Sequence, residues 1–183
     1  MQTETIRLTY EDYALIPPDG RRHEIIDGEE VMSPAPLTKH QRVAFRLALE
    51  LELHVREHGL GEVFVAPFDV LLSDYDIVQP DVLFIADDRL RIVDEANCKG
   101  APDLVCEVLS PSTRRTDLVR KRALYARFGV AEYWTLDPAV DQVQVFRPSG
   151  PEAYERAAEL GMDGTLSTPL MPSLALPVAG LFG

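Results

Sequence analysis

The run Leu104 to Leu109 reads Leu-Val-Cys-Glu-Val-Leu, and the one charge inside it, Glu107, constrains the chain more than any other residue. A continuous apolar run of this length suits a strand covered on both faces, which puts a carboxylate where water is excluded. Burying an ionised group without a partner is expensive enough to force a pKa shift. Glu107 is therefore expected to be neutral, paired, or bound to a metal ion. Around it, Gly100 to Asp137 predicts strand, loop, helix and strand. Upstream, Gln79 to Ile85 (Gln-Pro-Asp-Val-Leu-Phe-Ile) predicts a second buried strand, entered at Asp81.

With 183 residues, 46% of them hydrophobic, the chain can bury one full core and is short for two, so residues 1–183 are expected to form one domain. No run approaches the roughly 20 apolar residues that span a bilayer. The start, Met1 to Tyr13, has neither the basic end nor the apolar block of a secretory leader, so a soluble, cytoplasmic protein is expected. Cys98 and Cys106 form no CxxC pair and have no histidines at ligand spacing, which makes both reduced and structural. Acidic residues outnumber basic ones 30 to 18, and the net charge of -12 works against long-range attraction to a polyanion. Any nucleic-acid binding must be local. Arg114, Arg115, Arg120, Lys121, Arg122 and Arg127 all fall in the helix after Glu107, and by charge alone they read as a solvated helix face.

In chain order, Thr9 can cap a short helix through Leu15, which Pro17-Pro18-Asp19-Gly20 ends. His23 to Ile26 and Glu30 to Met32 flank Asp27-Gly28, a pair that takes the positive φ angles of a tight hairpin turn, with Glu24 in the first strand. Thr38 with Gln41 three positions on gives a capping-box signal for a helix to about His58, closed by Gly59. Val43, Leu47, Leu51 and Val55 recur every fourth residue and give that helix its core stripe. His54 and His58 read as surface or cap residues, whereas His40 stands at the helix start, where a cleft could reach it. Val63 to Leu72 predicts a strand that is bent or at an edge at Pro67, and Asp87 to Lys99 a charged loop. Glu132 to Leu136 and Gln142 to Phe146 predict a hairpin around Asp137-Pro138. Tyr154 to Ala158 and Leu174 to Phe182 are expected to finish the sheet or cover apolar surface, including at a dimer contact.

Three acids, Glu24, Asp81 and Glu107, lie in or beside predicted strands. A single acid in a strand is commonly an exposed edge residue, but three can converge as hard oxygen ligands for Mg2+ or Mn2+. Such a cation polarises a phosphate and generates hydroxide from water, as phosphodiester hydrolysis needs when no nucleophilic Ser or Cys is placed. Paired carboxylates also serve glycosidases, though an aromatic-rich sugar platform is missing from the sequence. Lys121 follows Asp117 by four residues and reads either as a surface ion pair or as an ammonium over the metal cleft.

The segments QPDVLFI and GAPDLVCEVLSPST, then Asp117, Lys121, Tyr125 and GVAEYWTLDP, preceded by HEIIDGEEVMSPAP and His40, resemble the Uma-two family, described as putative restriction endonucleases, a branch of the PD-(D/E)XK nuclease superfamily. The resemblance runs from about Thr9 to the closing Leu-Phe. It implies an α/β, mixed α+β architecture: a restriction-endonuclease-like central mixed β-sheet flanked by α-helices, with a divalent-metal site for DNA cleavage. Separately, the closing segments lead to the expectation of a homodimer. By position the resemblance makes Asp81 the aspartate of the PD motif, Glu107 the acid of the second motif and Glu24 the acid from the N-terminal part. The lysine expected two residues after that acid is Leu109 here, and Lys121 is the candidate to replace it from the helix. A second reading, from another class, is a catalytically inactive dimeric binding or regulatory module whose acids are neutral or salt-bridged.

Overall fold

The computed structural model describes residues 6–183; the chain start, where no leader is expected, lies partly outside them. In order, the elements are α1 (Tyr10–Tyr13), β1 (Arg22–Ile26), β2 (Glu29–Ser33), α2 (Thr38–His58), β3 (Gly61–Val65), β4 (Asp69–Ser73), β5 (Asp76–Val78), β6 (Val82–Ala86), β7 (Asn97–Lys99), β8 (Leu104–Val108), α3 (Arg122–Arg127), β9 (Glu132–Asp137), β10 (Gln142–Gly150), β11 (Ala153–Leu160), β12 (Thr165–Thr168), β13 (Met171–Pro177) and α4 (Val178–Phe182). A 3-10 turn, Asp87–Ile92, precedes β7, and a π-helical segment, Thr116–Lys121, runs directly into α3.

Local chemistry explains most of these boundaries. Thr9 caps α1 through a reciprocal pair of bonds with Asp12. Asp27 and Gly28 have φ of 57° and 80°, so both central turn residues are left-handed, which matches the twist of the β1–β2 hairpin. Val43, Leu47, Leu51 and Val55 of α2 are all buried, and Gly59 ends the helix at φ 60°. Its other end differs from expectation. Leu37, not Thr38, is the N-cap, because its backbone carbonyl accepts the first helical bond, from Gln41, and its hydrocarbon side chain supplies no cap bond.

Strand β8 is buried along all five residues, as the apolar run requires. It lies inside a six-stranded mixed sheet ordered β11-β10-β9-β8-β6-β3, parallel to β9 and antiparallel to β6. Leu104, Cys106 and Val108 face one core with the α2 stripe, Leu181 and Phe182. Val105 faces the other, with Leu124 and Tyr125 of α3 and with Ile26, Val70 and Val78. Those last three come from a second sheet of five strands, ordered β2-β1-β5-β4-β7. The architecture is thus mixed α/β, as expected, with the six-stranded mixed sheet joined by the smaller five-stranded one and by the β12–β13 pair, and with helices flanking them. The division between the two larger sheets falls at Pro67: the expected strand from Val63 to Leu72 becomes β3 in the six-stranded sheet and β4 in the five-stranded one, because a proline cannot donate to a continuing ladder. The segment expected as a charged loop, Asp87 to Lys99, contains the 3-10 turn and β7. Both cysteines are buried and unbridged.

The join of β3 to β6 depends on Gly61. It adopts φ 146°, and a Cβ there would stand 2.1 Å from the Ile85 carbonyl oxygen and 2.9 Å from Ala86 Cα. Neither backbone atom can yield without breaking the Gly61–Ala86 pairing. Gly61→Ala should therefore lose about 3 kcal/mol in urea denaturation, the upper range for local backbone strain. Gly150→Ala, whose added Cβ would meet nothing within 4 Å, should change stability little.

Candidate active site

The antiparallel register of β6 and β8 pairs Val82 with Cys106, so the next residues outward, Asp81 and Glu107, come opposite each other. Residues directly opposite in such a pair project to the same face. Asp81 is fixed from three directions. Its Oδ2 accepts the Val108 N–H at 2.8 Å and stands 3.1 Å from His40 Nε2, and its Oδ1 accepts from Arg22 Nη1 at 2.8 Å. Burial opposes ionisation here, but His40, Arg22 and the Val108 amide together outweigh it and hold the Asp81 carboxyl down to about 2.

Glu107 is also buried, and its Oε1 accepts from Lys121 Nζ and from the Tyr125 hydroxyl, each at 2.9 Å. Lys121, only 3% exposed, ends the π-helical segment. Its ammonium stands 2.8 Å from Glu24 Oε1 and 3.7 Å from Asp117 Oδ1 as well. Of the two readings of Asp117 and Lys121, the surface pair is overturned: both are buried among acids. Burial alone would strip the proton from this lysine, but the three carboxylates reverse that and raise its pKa. Burial pushes Glu107 up to about 8; Lys121 opposes the shift, while Asp117, Asp81 and Glu24 add to it. One ammonium cannot compensate so many carboxylates.

That imbalance bears on metal binding. Glu24, Asp81, Glu107 and Asp117 set four carboxylates against two permanent cations, Arg22 and Lys121. Were all four ionised, they would exceed these cations by two negative charges on hard oxygen donors, a donor set that fits Mg2+ or Mn2+. Among the described residues, no three acidic, histidine or cysteine side chains already converge as a metal site. The ammonium of Lys121 stands between Glu24 and Glu107 instead.

Asp81, Glu107, Asp117, Lys121, Arg22 and His40 all line one cleft of about 270 Å3. Glu24 does not. It is 1% exposed, accepts the Gln79 N–H at 2.8 Å, and reaches the cleft only through Lys121. Leu109, standing where the resemblance expects lysine, lines an adjoining cavity and not this cleft. Arg22 was missed in the sequence, although it lies two residues before Glu24 in β1 and so shares its face. The basic helix face is largely committed elsewhere: Arg114 pairs with Asp137, Arg120 with Glu29, and Arg127 with Asp27 and Asp76. Arg122 lies over the Phe146 ring.

Removing Lys121 leaves its buried acids uncompensated. Lys121→Ala should cost about 3–5 kcal/mol in urea denaturation, the range for breaking a buried ion pair from one side. Lys99→Ala breaks a pair whose side chains are 61% and 59% exposed, and should leave the denaturation midpoint almost unchanged.

The family model for Uma2, described as "Putative restriction endonuclease", matches residues 10–179. Among solved structures, the crystal structure of a putative nuclease belonging to DUF820 from Anabaena variabilis ATCC 29413 matches with a TM-score of 0.79 at 21% identity. The match covers 96% of this chain and 97% of that one, and it establishes a shared fold. No curated protein matches the sequence.

Proposed function

This chain belongs to the Uma2 family, and we propose that it is a divalent-metal-dependent DNA endonuclease working at the cleft between Asp81 and Glu107. The observation that carries this reading is the facing of those two carboxylates across the β6–β8 register, with a buried ammonium bonded to one of them. Asp81 and Glu107 would hold Mg2+ or Mn2+, which when bound supplies polarisation of a phosphate oxygen and a more acidic attacking water. Arg22, His40 and the Val108 amide orient Asp81. Lys121 takes the role of the lysine missing at Leu109: its charge sits beside Glu107, where negative charge develops during attack on phosphorus. Glu24 and Asp117, expected and neighbouring acids of the same cluster, act by holding that ammonium in place. Glu24 is thus assigned to Lys121 and not to the metal.

The internal pairing of every acid in the cleft also supports a second reading, a non-catalytic dimeric binding module that keeps the nuclease fold. Nicking of supercoiled plasmid separates the two. Native protein with Mg2+ or Mn2+ should nick, and Glu107→Gln should lose roughly a hundredfold or more of that rate. Folded native protein that nicks with neither cation would leave only the binding module.

Metal removal gives a second check. In EDTA, Glu107→Gln relieves repulsion among buried carboxylates, so the variant should melt at the same temperature as the native protein or higher. Added Mg2+ should raise the native melting temperature and leave the variant unmoved. An equal rise in both would remove Glu107 from the site.

A further inference from the structure

A second cavity, of about 370 Å3, adjoins the cleft, and the two share Leu37, His40, Ser110 and Pro111 as a common wall. Its size falls within the roughly 300–1,000 Å3 of small-molecule sites. Of the remaining lining residues three are apolar and three, Lys39, Arg114 and Asp137, are charged. Leu109 contributes from the end of β8, and Pro138 and Ala139 contribute from the turn between β9 and β10. Two half-exposed cations line it too, and both are held in place. Lys39 donates to the Pro138 carbonyl at 2.5 Å and lies 2.8 Å from Asp141, while Arg114 pairs with Asp137.

A ligand for such a space has broad apolar faces and an anionic attachment, and it is tethered to whatever occupies the cleft. A nucleotide has all three properties. Its base stacks on apolar or planar surfaces whatever its identity, and its phosphate suits fixed cations and a metal cleft next door. A base within a duplex cannot enter, because its faces are covered by its neighbours and its edge by its partner.

We propose that this cavity is a subsite for a nucleobase that has left its stack, attached to the phosphate held in the neighbouring cleft. The assignment rests on the nuclease reading and deepens it: the preferred substrate is single-stranded or locally unpaired nucleic acid. It also gives Leu109 a use, as apolar floor where a lysine would be unsuited. Unstacking a duplex base to fill the subsite lowers affinity for intact duplex, and stacking alone carries little sequence preference.

The test uses phosphorothioate-linked oligonucleotides carrying 2-aminopurine, with Mg2+, as single strands and as blunt duplexes of the same sequence. Native protein should bind the single strand at least tenfold more tightly and shift the 2-aminopurine emission. Ala139→Trp places an indole in the cavity from an exposed turn position and should abolish both the preference and the shift. Val140→Trp, at a 64% exposed position outside the lining, should keep both. Equal binding of the two forms by native protein, or an unaltered preference in Ala139→Trp, overturns the subsite. Plasmid nicking run alongside separates the two ideas. Loss of the preference with nicking intact strikes the subsite alone, and intact preference without nicking strikes the nuclease reading alone. No binding of any oligonucleotide overturns both.

Discussion

One buried ammonium, that of Lys121, sets the terms for the parts around it. It touches Glu24 from the five-stranded sheet, Glu107 from the six-stranded sheet and Asp117 from the π-helical segment. Without partners, a lysine so buried would lose its proton, and Glu107 would lose the charge that opposes its burial. The cluster therefore holds together only when two sheets and a helix meet at one point. Within that segment, Asp117 and Lys121 turn inward while Val119, like Arg115 just before the segment, stays exposed. A π-turn of this kind is rare in regular helices and recurs at functional sites, where it re-aims side chains. Apolar side chains of the same volume would fasten the same elements at no desolvation cost. Stability alone does not account for the charges.

Asp81 is held by a different device. Its carboxylate takes the Val108 N–H beyond the last paired residues of β6 and β8. The side chain so replaces a ladder bond and is locked to the strand that carries Glu107. Arg22 and His40 then close on it from β1 and from the start of α2. The two acids have opposite balances: Asp81 is held down by cations and an amide, and Glu107 is pushed up by burial among like charges. Adjacent carboxylates driven apart in this way are characteristic of sites that do chemistry, though structural ion networks also produce the pattern.

What could be read in the sequence was what short-range chemistry decides. Asp27-Gly28 announces its hairpin, the fourfold spacing from Val43 to Val55 announces the buried face of α2, and the lone charge in the Leu104–Leu109 run announces Glu107. Long-range choices were not legible. Pro67 signalled an interruption, but whether the chain would bend or change sheets depended on partners far away. The strands β5 and β7 are three residues each and owe their pairing to neighbours distant in sequence. Arg22 meets Asp81 across 59 positions. Nor does an acid in a strand identify a site by itself. Glu132 is 1% exposed, yet the Trp134 indole and Arg147 satisfy it away from the cleft.

The overall charge of -12 limits how a polyanion can approach such a cleft. Association cannot draw on the broad positive field that speeds most nucleic-acid binding, since Arg114, Arg120 and Arg127 are paired with acids and Lys121 is buried. The carboxylates that form the candidate site would repel phosphate as they stand. Two positive charges brought to Asp81 and Glu107 would offset that local excess without altering the rest of the surface. Substrate affinity and chemistry would then be coupled through one ion, and contact with the apolar residues of the adjoining cavity would add binding less sensitive to salt.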